Sequence, residues 1–229
     1  MSIELHDAGE ADPSVAASPL HQQVYQTLRE QLIIGNLHPG RSMSLRGISE
    51  MLGIGVMPCR EAIRRLAAEN ALEVQQNRRV CVPRLTVSRF EELMSARLAL
   101  EPLCARRALA SIDADRLERM IAHDDVMNRN YSSGSADIYM LANYKFHFEL
   151  YRAGGSDVLV PLLESVWVQF GPFMRTIYDV VEGAAIIDKH KMAIDAIRRG
   201  DGEALRVAIE ADILDGMYLL RRTLGLEKA

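Results

Sequence analysis

His147 and His190 are the side chains of this sequence best suited to hold a cation, and each has an oxygen donor in step with it. Asn143 lies four residues before His147, so the two share one face of any helix that contains them. Asp212 relates to His190 through a turn. His190 stands eleven residues before Asp201, the centre of a Gly200-Asp201-Gly202 break, and Asp212 stands eleven after it. In an antiparallel helix pair turning at Asp201 those two positions lie opposite each other. Two imidazoles, a carboxylate and an amide oxygen could then converge inside a bundle. That set suits a divalent metal (Zn²⁺, Mn²⁺ or Ni²⁺) with positions left open for water or a ligand. The same residues could instead line a metal-free polar pocket. They could also activate water in a metal-dependent enzyme, although no further acid–base pair or nucleophile motif accompanies them.

A second group of residues offers binding chemistry. Arg60, Arg64 and Arg65 share one short helical pattern, Arg46 lies on the pattern before it, and Asn77-Arg78-Arg79 sits at a hairpin tip. Arginine presents a planar fork of donors that fits guanine edges and phosphates. Taken alone, Arg60, Arg64 and Arg65 could be a solvated face paired with Glu61 and Glu69. The charge distribution favours binding. Net charge is −4, yet residues 19–85 hold nine Arg and five Glu, a local excess of +4.

These residues need elements to position them. Val24, Leu28, Leu32 and Ile33 recur at helical spacing over about 20–35, ended by Gly35, Pro39 and Gly40. Helices over 45–52 and 58–70 meet at a tight turn, Leu52-Gly53-Ile54. Strand-like runs at 72–74 and 80–82 then flank a tip at 75–79. This makes a winged helix-turn-helix domain over 19–83, preceded by an acidic tail at 1–18 and followed by a linker at 84–86. The chain then becomes purely helical, with helices at about 87–109, 113–131, 135–153, 156–179, 183–199 and 202–224. Residues 87–229 therefore form an antiparallel helical bundle, and the fold class is mainly α. No apolar run is long enough to span a bilayer, so no membrane partner is expected. The acidic N-terminus is unlike a signal peptide. The dispersed Cys59, Cys81 and Cys104 suit a reducing cytoplasm.

The motifs carry a resemblance. Pro39-Gly40, then Leu45-x-x-Ile48-Ser49-Glu50-x-Leu52-Gly53, then Pro58-x-Arg60-Glu61-Ala62-Ile63-x-Arg65-Leu66 and a hairpin, resemble the DNA-binding domain of GntR-type transcription regulators. The bundle, with Arg97-Leu98-Ala99-Leu100-Glu101, Asn143-Tyr144-Lys145-Phe146-His147 and His190, is similar to the FCD-type ligand-binding domain of the FadR subgroup. The resemblance implies that Arg46 and Arg60 contact an operator on double-stranded DNA. Met57, Arg64, Asn77, Arg78 and Arg79 complete the DNA face. It also implies that Asn143, His147, His190 and Asp212 occupy metal-ligand positions, with Asn and Asp standing where relatives carry Asp and His. Val56 and Arg79 depart from the usual Arg and Gly, which points to a different operator.

The expected protein is a cytoplasmic, homodimeric regulator that is not an enzyme. A small carboxylate effector, salt-bridged by Arg97, would release repression. The competing expectations are a metal-dependent enzyme and a ligand-independent DNA-binding protein with a vestigial effector domain.

Overall fold

In a computed structural model, residues 19–131, 134–180 and 189–226 are described. The expected tail at 1–18 and the expected helix start at 183–188 lie outside the described residues.

The N-terminal unit begins with α1 (Leu20–Ile33), which buries Val24, Tyr25, Leu28, Leu32 and Ile33. Next come β1 (Ser42–Ser44), α2 (Leu45–Leu52) and α3 (Val56–Ala68), then β2 (Glu73–Val74) and β3 (Arg79–Cys81). The three strands form an antiparallel sheet in the order β1-β3-β2, with Ser42 and Glu73 both opposite Cys81. Ser44 closes β1 and caps α2, its Oγ accepting from Gly47 N at 2.9 Å. Gly53, left-handed at φ 63°, ends α2 and permits the tight turn into α3.

Two expectations change here. α3 starts at Val56 rather than Pro58, so Val56 and Met57 belong to the helix. Pro58 is tolerated as its third residue because first-turn N–H groups have no helical acceptor. β1 was not anticipated, since Ser42-Met43-Ser44 is a run of only three residues with a single apolar side chain; pairing with β3 makes it a strand.

Thr86 caps α4 (Val87–Ala108), and a single 3₁₀ turn (Leu109–Ser111) follows. The bundle continues with α5 (Ala114–Asn130), α6 (Ala136–Ala153), α7 (Leu159–Val180), α8 (Lys189–Arg199) and α9 (Gly202–Thr223). α7 begins three residues later than expected, where Ser156 Oγ accepts from Leu159 N at 3.0 Å. Asp113, Ser135 and Asp201 each cap a helix through a side-chain oxygen. α9 packs on both α4 and α8, α5 lies along α6, and α7 faces the bundle while also meeting α1. One continuous apolar core joins both units, running from Val24 and Leu28 to Trp167, Phe170 and Ile213.

Candidate effector site and DNA-binding face

The sequence expectation that α6, α8 and α9 converge is met in part by geometry. His147 on α6 is fully buried; His190 on α8 and Asp212 on α9 are partly exposed to a cavity. His147 Nε2 lies 3.4 Å from Asp212 Oδ2 and 3.4 Å from His190 Nε2, and His190 Nε2 lies 3.7 Å from Asp212 Oδ1. These three residues form a cluster of potential metal donors. Asn143, one turn before His147, lines the cavity beside them.

The surroundings fix which nitrogens face the centre. His147 Nδ1 lies 3.1 Å from the Tyr151 hydroxyl, which donates to Glu101 Oε2 at 2.7 Å. Tyr151 has one proton and gives it to Glu101, so the His147 Nδ1–H must donate to the Tyr151 oxygen. Nε2 then carries a lone pair toward the centre. Glu101 is held in turn by Arg97, with Nε donating at 2.5 Å and Nη2 at 3.3 Å. On the other side, Asp124 Oδ1 approaches His190 Nδ1 at 3.2 Å, which favours the proton on that nitrogen and leaves Nε2 for the centre.

Burial pushes the His147 pKa below its ordinary value, so the ring is neutral near pH 7. Burial opposes charge on Asp212, but the surrounding His147, His190 and Arg97 outweigh it and hold the carboxyl below its usual range. The Nε2 atoms of His147 and His190 and the Asp212 carboxylate thus face one another. A cation placed there would meet all three donors at once.

The cavity beside this centre has a volume of about 140 Å³. Trp167 and Phe170 from α7 and Tyr131, Tyr139 and Tyr178 form much of its wall. Arg97 lines it as expected, but its guanidinium is engaged by Glu101 and stacked against Trp167 and Phe170. Lys189 lies 3.4 Å from Asp215 at the same cavity. Asp124, Tyr151 and Glu101 were missed as supports of the centre. The spacings of Tyr151 from His147 and of Glu101 from Arg97 were visible as helical pairs, but the contacts between those pairs cross helices.

The winged unit exposes a second set of cationic residues. Arg46 on α2, Met57, Arg60 and Arg64 on α3, and Asn77 and Arg78 at the hairpin tip are all exposed. Met57, Arg60 and Arg64 follow a three-then-four spacing and share one side of α3. Among the described residues the Arg46, Arg60 and Arg78 guanidinium groups make no ion pair. Arg64 lies 3.4 Å from Glu61. Arg65 pairs with Glu69, stacks over Tyr25 and serves the fold. Arg79 donates to Ser42 Oγ at 2.8 Å and to Ser42 O at 2.7 Å, so it braces the wing against β1. Arg78 adopts a left-handed φ of 60°, which turns the tip.

The chain thus combines an arginine-bearing winged unit with a helical bundle that holds a cavity. Residues 92–215 match the FCD domain, and residues 20–82 match the gntR family of bacterial regulatory proteins. The chain belongs to the gntR family and carries an FCD domain. It is 26% identical over 187 residues to the HTH-type transcriptional regulator McbR of Escherichia coli K12, covering 80% of this chain and 85% of that one. The gluconate operon transcriptional repressor of Bacillus subtilis is 25% identical over 78% of this chain and 76% of its own. The solved structure of E. coli McbR/YncC shares the fold at a TM-score of 0.84, with 23% identity over 90% of this chain and 99% of that one. These relatives are transcription regulators, not enzymes. As a gntR regulator the chain binds DNA through its winged unit, and its FCD bundle is the effector-binding domain. Among the described residues no helix is long and apolar enough to cross a membrane.

Proposed function

We propose that this gntR regulator is a homodimeric repressor whose grip on DNA is controlled by a small carboxylate seated on a divalent cation in the bundle. The observation that carries the reading is the set of converging lone pairs on His147, His190 and Asp212 opening into the aromatic cavity. Asn143 and the trio would hold Zn²⁺, Mn²⁺ or Ni²⁺. The cation would supply Lewis acidity and positive charge toward an anionic ligand.

Charge argues for the cation's necessity. The cavity and its immediate supports hold two fixed cations, Arg97 and Lys189, against four carboxylates, Glu101, Asp124, Asp212 and Asp215. That balance repels an anion. A divalent ion at the trio cancels the excess and makes room for a carboxylate. Arg97 contributes by fixing Glu101 and so His147, with its own charge largely spent on that pair.

A two-fold dimer would suit this task, because one winged helix reads only a few base pairs and a pair doubles the contact on a pseudo-palindromic operator. Arg46 and Arg60 are the proposed base and phosphate readers on each copy, with Met57, Arg64 and Asn77 beside them and Arg78 on the wing. Arg79 supports that wing from behind.

Trp167 supplies the readout, being the single tryptophan of the chain and lying 5.1 Å, ring to ring, from His147. Zinc added to chelator-treated protein is expected to change its fluorescence saturably, and the His147→Ala/His190→Ala variant is expected to bind at least about 100-fold more weakly. Equal affinity in the two proteins would remove the metal from the proposal.

A further inference from the structure

α7 has two working faces. One carries Trp167, Phe170, Met174, Ile177 and Tyr178 into the effector cavity. The other carries Gly171 and Arg175 against the end of α1. The approach there is very close. A Cβ built on Gly171 would sit 2.7 Å from Ile33 Cα, Ile33 O and Leu32 O, and a Cβ on Gly35 would sit 2.3 Å from Arg175 Cβ.

Polar contacts lock the same junction. Arg175 Nη1 donates to Asp137 Oδ1 at 2.5 Å, and to Ile34 O and Asn36 Oδ1 at 3.3 Å each. Asn36 Nδ2 donates to Asp137 Oδ2 at 3.1 Å. Asp137 belongs to the first turn of α6, so this latch ties α6 and α7 of the bundle to the segment that ends α1. α1 in turn packs on α3, which presents Arg60.

The latch lies next to the cavity wall along both bundle helices. Tyr139 is two residues from Asp137 on α6, and Tyr178 is three residues from Arg175 on α7. Their rings meet inside the cavity at 5.0 Å, and Tyr131 at the end of α5 stacks on Tyr139 at 6.0 Å. Anything large enough to fill the cavity presses on the contact that holds the α6 start against the latter half of α7.

Resting on the effector-controlled reading above, we propose that Tyr131, Tyr139 and Tyr178 are the ligand-sensing contacts and that the Asp137–Arg175–Asn36 latch is their output. An occupant parts Tyr139 from Tyr178, which draws Asp137 from Arg175 and loosens the seat of α1. The orientation of α3 is set by that seat, so cavity occupancy is read as a change in DNA geometry.

Hydrogen exchange on the full chain tests this directly. Tyr139→Ala and Tyr131→Ala are expected to speed exchange of amides 31–37 by about fivefold or more, relative to the wing amides 73–81. Asp137→Asn is expected to do the same, and the Tyr131→Ala/Asp137→Asn double variant is expected to add little to Asp137→Asn alone. Met127→Ala, which removes cavity wall without a tyrosine, controls for general loosening. Exchange at 31–37 that stays unchanged in the tyrosine variants, or moves only as much as in Met127→Ala, overturns the proposal.

Benzoate, with and without zinc, provides the ligand arm, since a cavity of roughly 150 Å³ accommodates a benzene-sized body. Trp167 fluorescence reports whether it binds. Binding that leaves exchange at 31–37 unmoved also overturns the proposal while leaving the effector reading intact. A response in the tyrosine variants when benzoate does not bind at all upholds the coupling and counts against the carboxylate reading.

Discussion

Arg60 and Arg64 lie one turn apart on α3, yet their surroundings differ. Arg64 has Glu61 within 3.4 Å, while the Arg60 guanidinium reaches no acid among the described residues. A free guanidinium keeps its donors for a groove, whereas a paired one must give up a partner first. Arg60→Ala is therefore expected to remove sequence-specific binding, at a cost of roughly 1–3 kcal/mol per site, and Arg64→Ala to cost less. Gel-shift titration on the protein's own upstream DNA, with circular dichroism as a folding check, measures both. Operator affinity that survives Arg60→Ala would relocate the reading residue. Tyr151 makes a comparable argument in the bundle. Its hydroxyl links the Arg97–Glu101 pair to His147 by hydrogen bonds, and it decides which His147 nitrogen is left bare. Tyr151→Phe is expected to weaken zinc binding by about 10- to 100-fold without unfolding the chain. Competition with a chromophoric chelator gives the number, and unchanged affinity would mean the tautomer is set elsewhere.

Helices carry these residues, and the close approach of α7 to α1 is a matter of glycine. Gly171 meets the backbone of Leu32 and Ile33, which cannot rotate away as a side chain could. Gly171→Ala must therefore push α1 off α7, with an expected loss of about 1–3 kcal/mol, as overpacked contacts usually show. Gly216 on α9 is the contrast. An added Cβ there meets only the flexible end of Met174 at 3.8 Å, so Gly216→Ala should be neutral or stabilising by up to about 1 kcal/mol. Thermal melts of the two variants that shift alike would show that the α1–α7 junction yields. Elements were also where sequence legibility was greatest. The α1 periodicity and the glycine turn into α3 gave the winged unit its outline, and equal spacing about Asp201 put His190 opposite Asp212. Legibility ended where a contact has no fixed spacing. Ser42-Met43-Ser44 becomes a strand only because β3 runs beside it. Asp124 sits in a charged helix, beside Asp125, and nothing local separates the acid that turns inward from its solvated neighbour.

At the scale of the molecule, basic charge gathers in the winged unit while the bundle places acids and two histidines around one cavity. The two share one apolar core, and α1 of the winged unit packs on α7 of the bundle. A regulator assembled this way has its reading unit and its sensing unit cut to the same template. Gly35, left-handed at φ 79° and pressed on Arg175, is where that template shows. Interchange between relatives is constrained there. A reading unit borrowed from another regulator could bring a perfect recognition helix and still fail to answer the ligand, if it carried a side chain at position 35. Any exchange of halves that preserves control must move this glycine and its facing helix together, so the unit of inheritance is the seam as much as either domain.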